Sequence, residues 1–400
     1  MTSRDTRAEL HFPFTTPPPL TVPPEFAELR AGCPVARVAF PTGYEGWLVS
    51  SYEHVRTVLT DPRFSRAAVN RPDAPVMRPI IPDSRSLLKK DGAEHARLRK
   101  IAVRAFSVAS VRELRPFIAR TADSLLDDMV EAGPPADLVS AYAQPLAMAV
   151  ICRVMGVPYE DRQAIASWFG RLLGLFPNAA GEISAARWEL DAYISELVDA
   201  KRSAPGDDAL SSLISAHDNG ELTGRELTDL GWSLLFTGYP SQWISIANAV
   251  LRLLRHPDQL DLLRARPNLL RGAVEESLRV NPFSVAGILL RIALEDVRLG
   301  GVTIRAGESV VPAAISANRD ESVFPDADTF DIRRTPNPQL AFGKGPHFCL
   351  AARLSRVEIE VALKAILRRL PGLEVAGGGN EIRVRDDMVL YALTAVPVTW

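Results

Sequence analysis

One helical pattern constrains the fold more than any other stretch. It runs from Leu222 to Arg255 without a break in its apolar period. At 1.5 Å per residue it spans about 50 Å, so a core must be assembled around it. Thr223 is placed as its N-cap and His256-Pro257 as its stop. Its middle reads LLFTGYPSQW. Pro240 lies well inside, where a proline removes one backbone donor and strains the preceding turn at a cost of roughly 3 kcal/mol. The Phe236 carbonyl is expected to lose its helical partner, and the helix to kink over Phe236–Pro240, with Gly238 easing the bend. A cost of that size points to a functional site.

A second stretch, Gln339 to Ala352, reads QLAFGKGPHFCLAA and centres on Cys349. A cysteine after a Gly-rich turn and before an apolar helix is placed for thiolate chemistry, because helix N-terminal N–H groups lower a thiol pKa. Taken alone, it reads equally as a small buried hydrophobe. Gly343 and Gly345 permit a tight path close to a flat group, Phe342 can pack under that group, and Pro346 stiffens the approach. Leu350, Leu354, Val357, Val361 and Ala365 then recur at helical spacing until Pro371-Gly372 ends the run.

By length alone, 400 residues could form two or three domains. A net charge of −2 excludes bulk attraction to nucleic acid or an anionic membrane. The three cysteines, Cys33, Cys152 and Cys349, are too few and odd in number for a disulfide framework, which argues for a reducing cytoplasm. No run of about 18 apolar residues is present, and MTSRDTRAEL lacks a signal-peptide core. A cytoplasmic protein without a membrane span is expected.

In chain order, residues 1–25 carry TTPPPLTVPP, expected as an extended surface arm. Strands are expected at Arg37–Phe40 and Trp47–Ser50, and a helix over Glu53–Thr60. Ser65–Asp83 has no period and reads as a long loop. Helical runs follow near Val108–Glu131, Leu138–Met155, Asp161–Leu175, Ala180–Arg202 and Asp207–Ala216. The Trp168-Phe169 to Leu175-Phe176 face reads as core. His95 and Arg99 share one helical face, and Glu276 and Arg279 are i, i+3 neighbours. Each pair alone reads as an ordinary solvated surface pair. Short strands are expected at Ser284–Leu289, Val302–Ile304, Ser309–Val311 and Met388–Tyr391, and Trp400 is expected to pack. Neither zinc spacing nor a phosphate-loop or dinucleotide motif is found; the two Gly-x-Gly fragments lack their continuation.

These sites together, in this order, resemble the bacterial cytochrome P450 family. The resemblance covers nearly the whole chain: the His95/Arg99 helix, the long helix, Glu276/Arg279, Arg291, the NRD at 318–320 and the Cys349 loop. It implies one domain over residues 1–400 with the 1–25 arm. The implied fold is a mainly α prism with small β-sheets (α+β), haem b lying between the long helix and the cysteine helix. Cys349 would be the proximal iron ligand. Phe342 would lie under the haem, with His95, Arg99, Arg291 and His347 on its propionates. Glu276, Arg279 and Arg334 would form the family's buried structural cluster. Val69, Phe169, Phe236, Thr237, Val285 and Val389 would line the substrate cavity, and the Ser65–Asp83 loop would cover it. Electrons would come from a ferredoxin and its NAD(P)H-dependent reductase, docking on Lys344, Arg97, Lys100, Arg353 and Arg356; alone these five read as a solvated face. A monomer acting on a small molecule is implied.

Two departures stand out. Ala351 replaces the glycine that usually follows the cysteine by two residues. In the long helix the family places an acid and a threonine that deliver protons; here Pro240 and Ser241 stand there. Ser241 or Gln242 is left as the candidate catalytic group beside Pro240. The segments AELRAGCPVARV, TGYEGWLVSSY, AGPPADL and the terminal VPVTW are also similar to a diketopiperazine-tailoring member that couples phenol rings. That relative carries a polar pair where this chain has Val389-Leu390, so a more apolar pocket, suited to an indole, is expected. Three functions follow. The first is oxidation or C–C/C–N coupling of an aromatic, tryptophan-containing cyclic dipeptide. The second is conventional hydroxylation or epoxidation of a polyketide or terpenoid. The third is haem binding as a sensor without turnover.

Overall fold

The computed structural model describes residues 10–15, 17–77, 86–173, 180–281, 290–379, 381–385 and 390–400. The long pattern forms one helix, Gly224–Leu254. Its start is a reciprocal capping box: the Thr223 hydroxyl accepts from Glu226 N at 3.2 Å, and the Glu226 carboxylate accepts from Thr223 N at 2.9 Å. Leu227, Leu230, Leu235, Trp243, Ile244 and Ala247, which face all sides of the helix, are buried. A helix apolar all round must be enclosed by others. Helices Gln144–Met155, Ala180–Ser203, Ala209–Asp218 and Ala352–Arg369 pack around it.

The helix runs through Pro240 as one element, so the expected kink does not interrupt it. Packing on all sides holds the segment. Hydroxyls along it also bond carbonyls one turn back, though not the Phe236 carbonyl that Pro240 leaves without its helical donor. Thr237 Oγ1 donates to Ser233 O at 2.7 Å, Ser241 Oγ to Thr237 O at 2.9 Å, and Ser245 Oγ to Ser241 O at 2.8 Å.

Among the described residues three small sheets flank the helices. The largest orders its strands Val35–Ala39, Glu45–Val49, Ser309–Pro312, Arg291–Ala293 and Phe64–Ser65. Its first pair is antiparallel with Val35 opposite Val49, and Gly46 runs parallel to Ser309. The terminal strand Pro397–Thr399 pairs with Ala136–Asp137 and Glu374–Val375, and Trp400 packs on the core. Val297–Leu299 and Val302–Ile304 form the third. Of the expected strands, Ser284–Leu289 lies outside the described residues. So do Met388 and Val389, and the nearest pairing there is an isolated bridge between Val384 and Leu393.

The proline-rich arm is not a loose surface strap. Phe12, Phe14 and Leu20 are buried, and the Phe12, Phe14 and Phe26 rings meet edge to face. Apolar side chains between the prolines supply the area that holds it down.

Glu276 and Arg279, on helix Leu270–Val280, are fully buried and paired at 2.7 Å. Every guanidinium N–H of Arg279 is used. Two go to Glu276, and the others to the carbonyls of Asn318 (2.8 Å), Ala327 (2.7 Å) and Thr329 (3.0 Å). Glu276 also accepts from Asp331 N (3.0 Å), Arg334 (3.1 Å) and Asn337 (3.1 Å). Removing one member leaves the other charge buried without its partner. Glu276→Ala is therefore expected to cost about 3–5 kcal/mol, read as a fall in the urea midpoint. A midpoint near that of the parent would show that the cluster carries no stability.

Candidate active site

The cysteine loop is fixed by backbone contacts at both ends. Leu340 N donates to Asn318 Oδ1 at 2.7 Å, Gly343 N to Leu340 O at 2.9 Å and Cys349 N to Phe342 O at 3.0 Å. Gly343 and Gly345 have φ near +72° and +71°, the left-handed region. A Cβ on Gly345 would sit 2.9 Å from the Leu59 carbonyl, so this glycine is required by the neighbouring helix Tyr52–Thr60 rather than by a flat ligand. Helix Ala352–Arg369 starts three residues after Cys349, with Ala351 as its N-cap. Burial pushes the Cys349 thiol up, against a hydrogen bond from Ala351 N–H and the charges of Arg99 and Arg356. The expected lowering by the helix end is thus outweighed by desolvation.

Cys349, Phe342 and His347 share the wall of one large cavity with His95, Arg99, Phe236, Thr237, Pro240, Ser241, Gln242 and Leu390. The His95 and His347 rings lie 4.2 Å apart. His347 Nε2 is 3.1 Å from Asp91 Oδ1, while its Nδ1 is buried without a partner. Asp91 Oδ2 accepts from Ser65 Oγ at 2.6 Å and Ala67 N at 2.8 Å. Burial alone would raise the Asp91 carboxyl, but bonds from His347, Ser65 and Ala67 hold it well below the carboxylate range. Arg99 donates to Phe348 O at 2.6 Å. Arg291 lies just behind the wall, 2% exposed, with Nε and Nη1 unpartnered. Burial, and then the nearby Arg66, lower it to about 9 against the opposing charge of Asp91.

Other expected site residues fall elsewhere. Val69 is buried in the cluster around Phe12 and Phe26, and Phe169 packs on Phe236 and Tyr239; neither lines the cavity. Val285 and Val389 lie outside the described residues. Gln242 is buried and donates to the Ser355 carbonyl at 3.2 Å, so its amide ties the long helix to the cysteine helix. Ser241 donates back into its own helix. In the expected basic face, Arg97 pairs with Glu226 and Arg356 with Glu275, which leaves Lys100, Lys344 and Arg353 as its exposed cations.

Two ionisable lining residues escaped the sequence reading. Arg66, fully enclosed, donates to the carbonyls of Leu88 and Leu290, each at 2.9 Å. Glu358, on the cysteine helix, also faces the cavity, and its Oε2 is buried without a partner. Burial raises its carboxyl well above the usual range, which favours the protonated form. An acid at helical spacing from Ser355 and Ala362 gives no sign in sequence that it faces inward.

The donor set fits haem b. A soft thiol faces an apolar cavity, and unpartnered donors of Arg291 and His347 stand where carboxylates could be held. The family profile described as Cytochrome P450 matches residues 159–372. The chain is 44% identical over 401 residues to "Nocardicin C N-oxygenase" of Nocardia uniformis subsp. tsuyamanensis, covering 100% of both. It is 42% identical over 401 residues to "Mycinamicin IV hydroxylase/epoxidase" of Micromonospora griseorubida, again covering 100% of both. A solved cytochrome P450 described as having biaryl coupling reactivity superposes with a TM-score of 0.90 at 36% identity, over 95% of this chain and 97% of that one. The chain belongs to the cytochrome P450 family, whose members are haem b oxidoreductases. Among the described residues no helix is long and apolar enough to cross a membrane.

Two expectations follow. Arg99→Ala with Arg291→Ala removes two charged donors, each worth about 1.5–3 kcal/mol, and should sharply lower haem content after purification. Full occupancy would refute this placement of the propionates. His95 is pushed down to about 4 from 6.5, chiefly by burial and then by His347 and Arg99. Between those values the unfolded chain binds a proton that the folded chain does not, so stability falls as pH drops through the window. His95→Gln should flatten the urea midpoint against pH there in the haem-free protein; an unchanged slope would assign it to other groups.

Proposed function

We propose that this chain is a haem-thiolate oxidase of an apolar aromatic secondary metabolite that carries its own N–H or O–H. Cys349 holds the iron, and His95, Arg99, Arg291, His347 and Arg66 hold the propionate edge. Bound haem supplies oxidation by activated dioxygen; the protein's task is to place the substrate and manage protons. The observation that carries the reading is the proton machinery around Pro240. No carboxylate stands there, Ser241 is bonded to Thr237 O, and Gln242 is bonded to Ser355 O. Glu358 and the substrate itself remain as proton donors to the cavity.

A substrate with its own N–H or O–H suits such a site. It can lose hydrogen there and form a C–C or C–N bond, with no oxygen inserted. A tryptophan-containing cyclic dipeptide is the first candidate, and the relative with biaryl coupling reactivity supports a coupling outcome. Conventional hydroxylation or epoxidation is the second reading, supported by the mycinamicin relative. Electrons would come from a ferredoxin and its reductase, docking near Lys100, Lys344 and Arg353.

The test screens cyclic dipeptides and macrolides for a shift of the haem Soret band, then weighs the products. Coupling removes hydrogen, and oxygenation adds oxygen. Pro240→Glu with Ser241→Thr should move products toward oxygen insertion. The same products at the same yield per electron would leave Pro240 a packing feature and remove the support for coupling.

A further inference from the structure

The turn Pro18–Thr21 of the N-terminal arm is held by residues more than 200 positions away. Its backbone offers few polar groups, because Pro18 and Pro19 have no N–H. Those of Pro18–Leu20 are all taken by side chains. Tyr391 Oη accepts from Leu20 N at 2.9 Å and donates to Pro18 O at 3.0 Å. Arg255 donates to Pro19 O at 2.9 Å, and Arg252 to Leu20 O at 2.7 Å. Thr21 N closes the turn on Pro18 O at 3.1 Å.

Leu20 sits at φ +67° in this turn, after Pro19, at the place where a type II turn favours glycine. A leucine in the left-handed region is strained and persists only when its surroundings fix it. Its side chain is 3% exposed and lies in the same core as Leu390 and Tyr391. Two of the groups that hold the arm, Tyr391 and Arg252, are one step from the cavity wall. Tyr391 follows Leu390, which lines the cavity. Arg252 also donates through Nε to Asn281 Oδ1 at 3.1 Å, and Asn281 lines it too.

We propose that the arm is part of the active site: Leu20, through Tyr391 and Arg252, sets the positions of Leu390 and Asn281 in the cavity wall. Tyr391 and Arg252 are then positioning residues for whatever apolar group packs on Leu390. The inference rests on the cavity being the haem and substrate cavity, and not on which substrate is used.

Tyr391→Phe keeps the ring and removes both hydrogen bonds to the arm. Leu20→Gly is the second variant, since glycine relieves the left-handed strain and deletes the buried side chain. Haem content, the reduced-CO spectrum and the urea midpoint report fold and cofactor. Hydrogen exchange at the Leu20 amide reports the clamp. Binding of 4-phenylimidazole relative to imidazole, read from the Soret shift, reports the wall without an identified substrate.

In Tyr391→Phe the Leu20 amide should exchange at least about tenfold faster, and 4-phenylimidazole should bind about fivefold more weakly while imidazole is unchanged, since each of the two hydrogen bonds lost is worth up to about tenfold. Leu20→Gly should move the phenyl probe in the same direction, with haem content kept. Faster exchange with both probes unmoved would make the arm purely structural and overturn the proposal. Unchanged exchange would overturn it as well, because Tyr391 would not be holding the turn. Loss of both probes together with haem would instead count against the reading of the cavity.

Discussion

The cavity depends on a buried ion cluster that never touches it. Arg279 gathers the carbonyls of Asn318, Ala327 and Thr329, while Glu276 gathers Asp331 N, Arg334 and Asn337. These residues belong to the irregular stretch between the last strand of the large sheet and the cysteine loop. Such a stretch has no ladder to satisfy its backbone, and a buried fork of fixed N–H groups replaces one. Asn318 passes the constraint on, since its Oδ1 fixes Leu340 N at the loop's entry. The position of Cys349 is thus set from about seventy residues away in sequence.

Much of this was legible in the sequence because it is written in spacing. The period of the long helix and the Thr223 cap each force one local geometry, while the Glu276/Arg279 interval and the Gly-Pro-His-Phe-Cys run become specific only taken together with the other sites. Contacts between distant segments were not legible. Asp91 is an unremarked N-terminal helix residue until the fold brings His347 to it. Glu358 reads as one more polar position until the long helix covers it. Val69 and Phe169 failed for the converse reason: apolar residues near a cavity are more often behind its wall than in it.

The long helix shows how a rule can be overridden without being wrong. Proline at 240 does remove a donor, and in an exposed helix that would bend or break the chain. Here the helix is wrapped on every side, and hydroxyls at 237, 241 and 245 each bond one turn back. One of these bonds occupies Ser241, a candidate for proton delivery, and Gln242, the other candidate, is bonded to Ser355 O. None of the three hydroxyl bonds goes to the Phe236 carbonyl, whose helical donor Pro240 removes.

Asp91 has a wider consequence. One oxygen meets His347 in the cavity wall, and the other holds Ser65 and Ala67 at the start of the stretch expected to cover the cavity. A single carboxylate cannot optimise both sides independently. Whatever tightens His347 on a bound carboxylate changes the free energy of the 65–67 turn, and thermodynamic reciprocity makes the converse hold by the same factor. On the proposed placement of haem and substrate, the two would be terms of one coupled equilibrium rather than separate tenants.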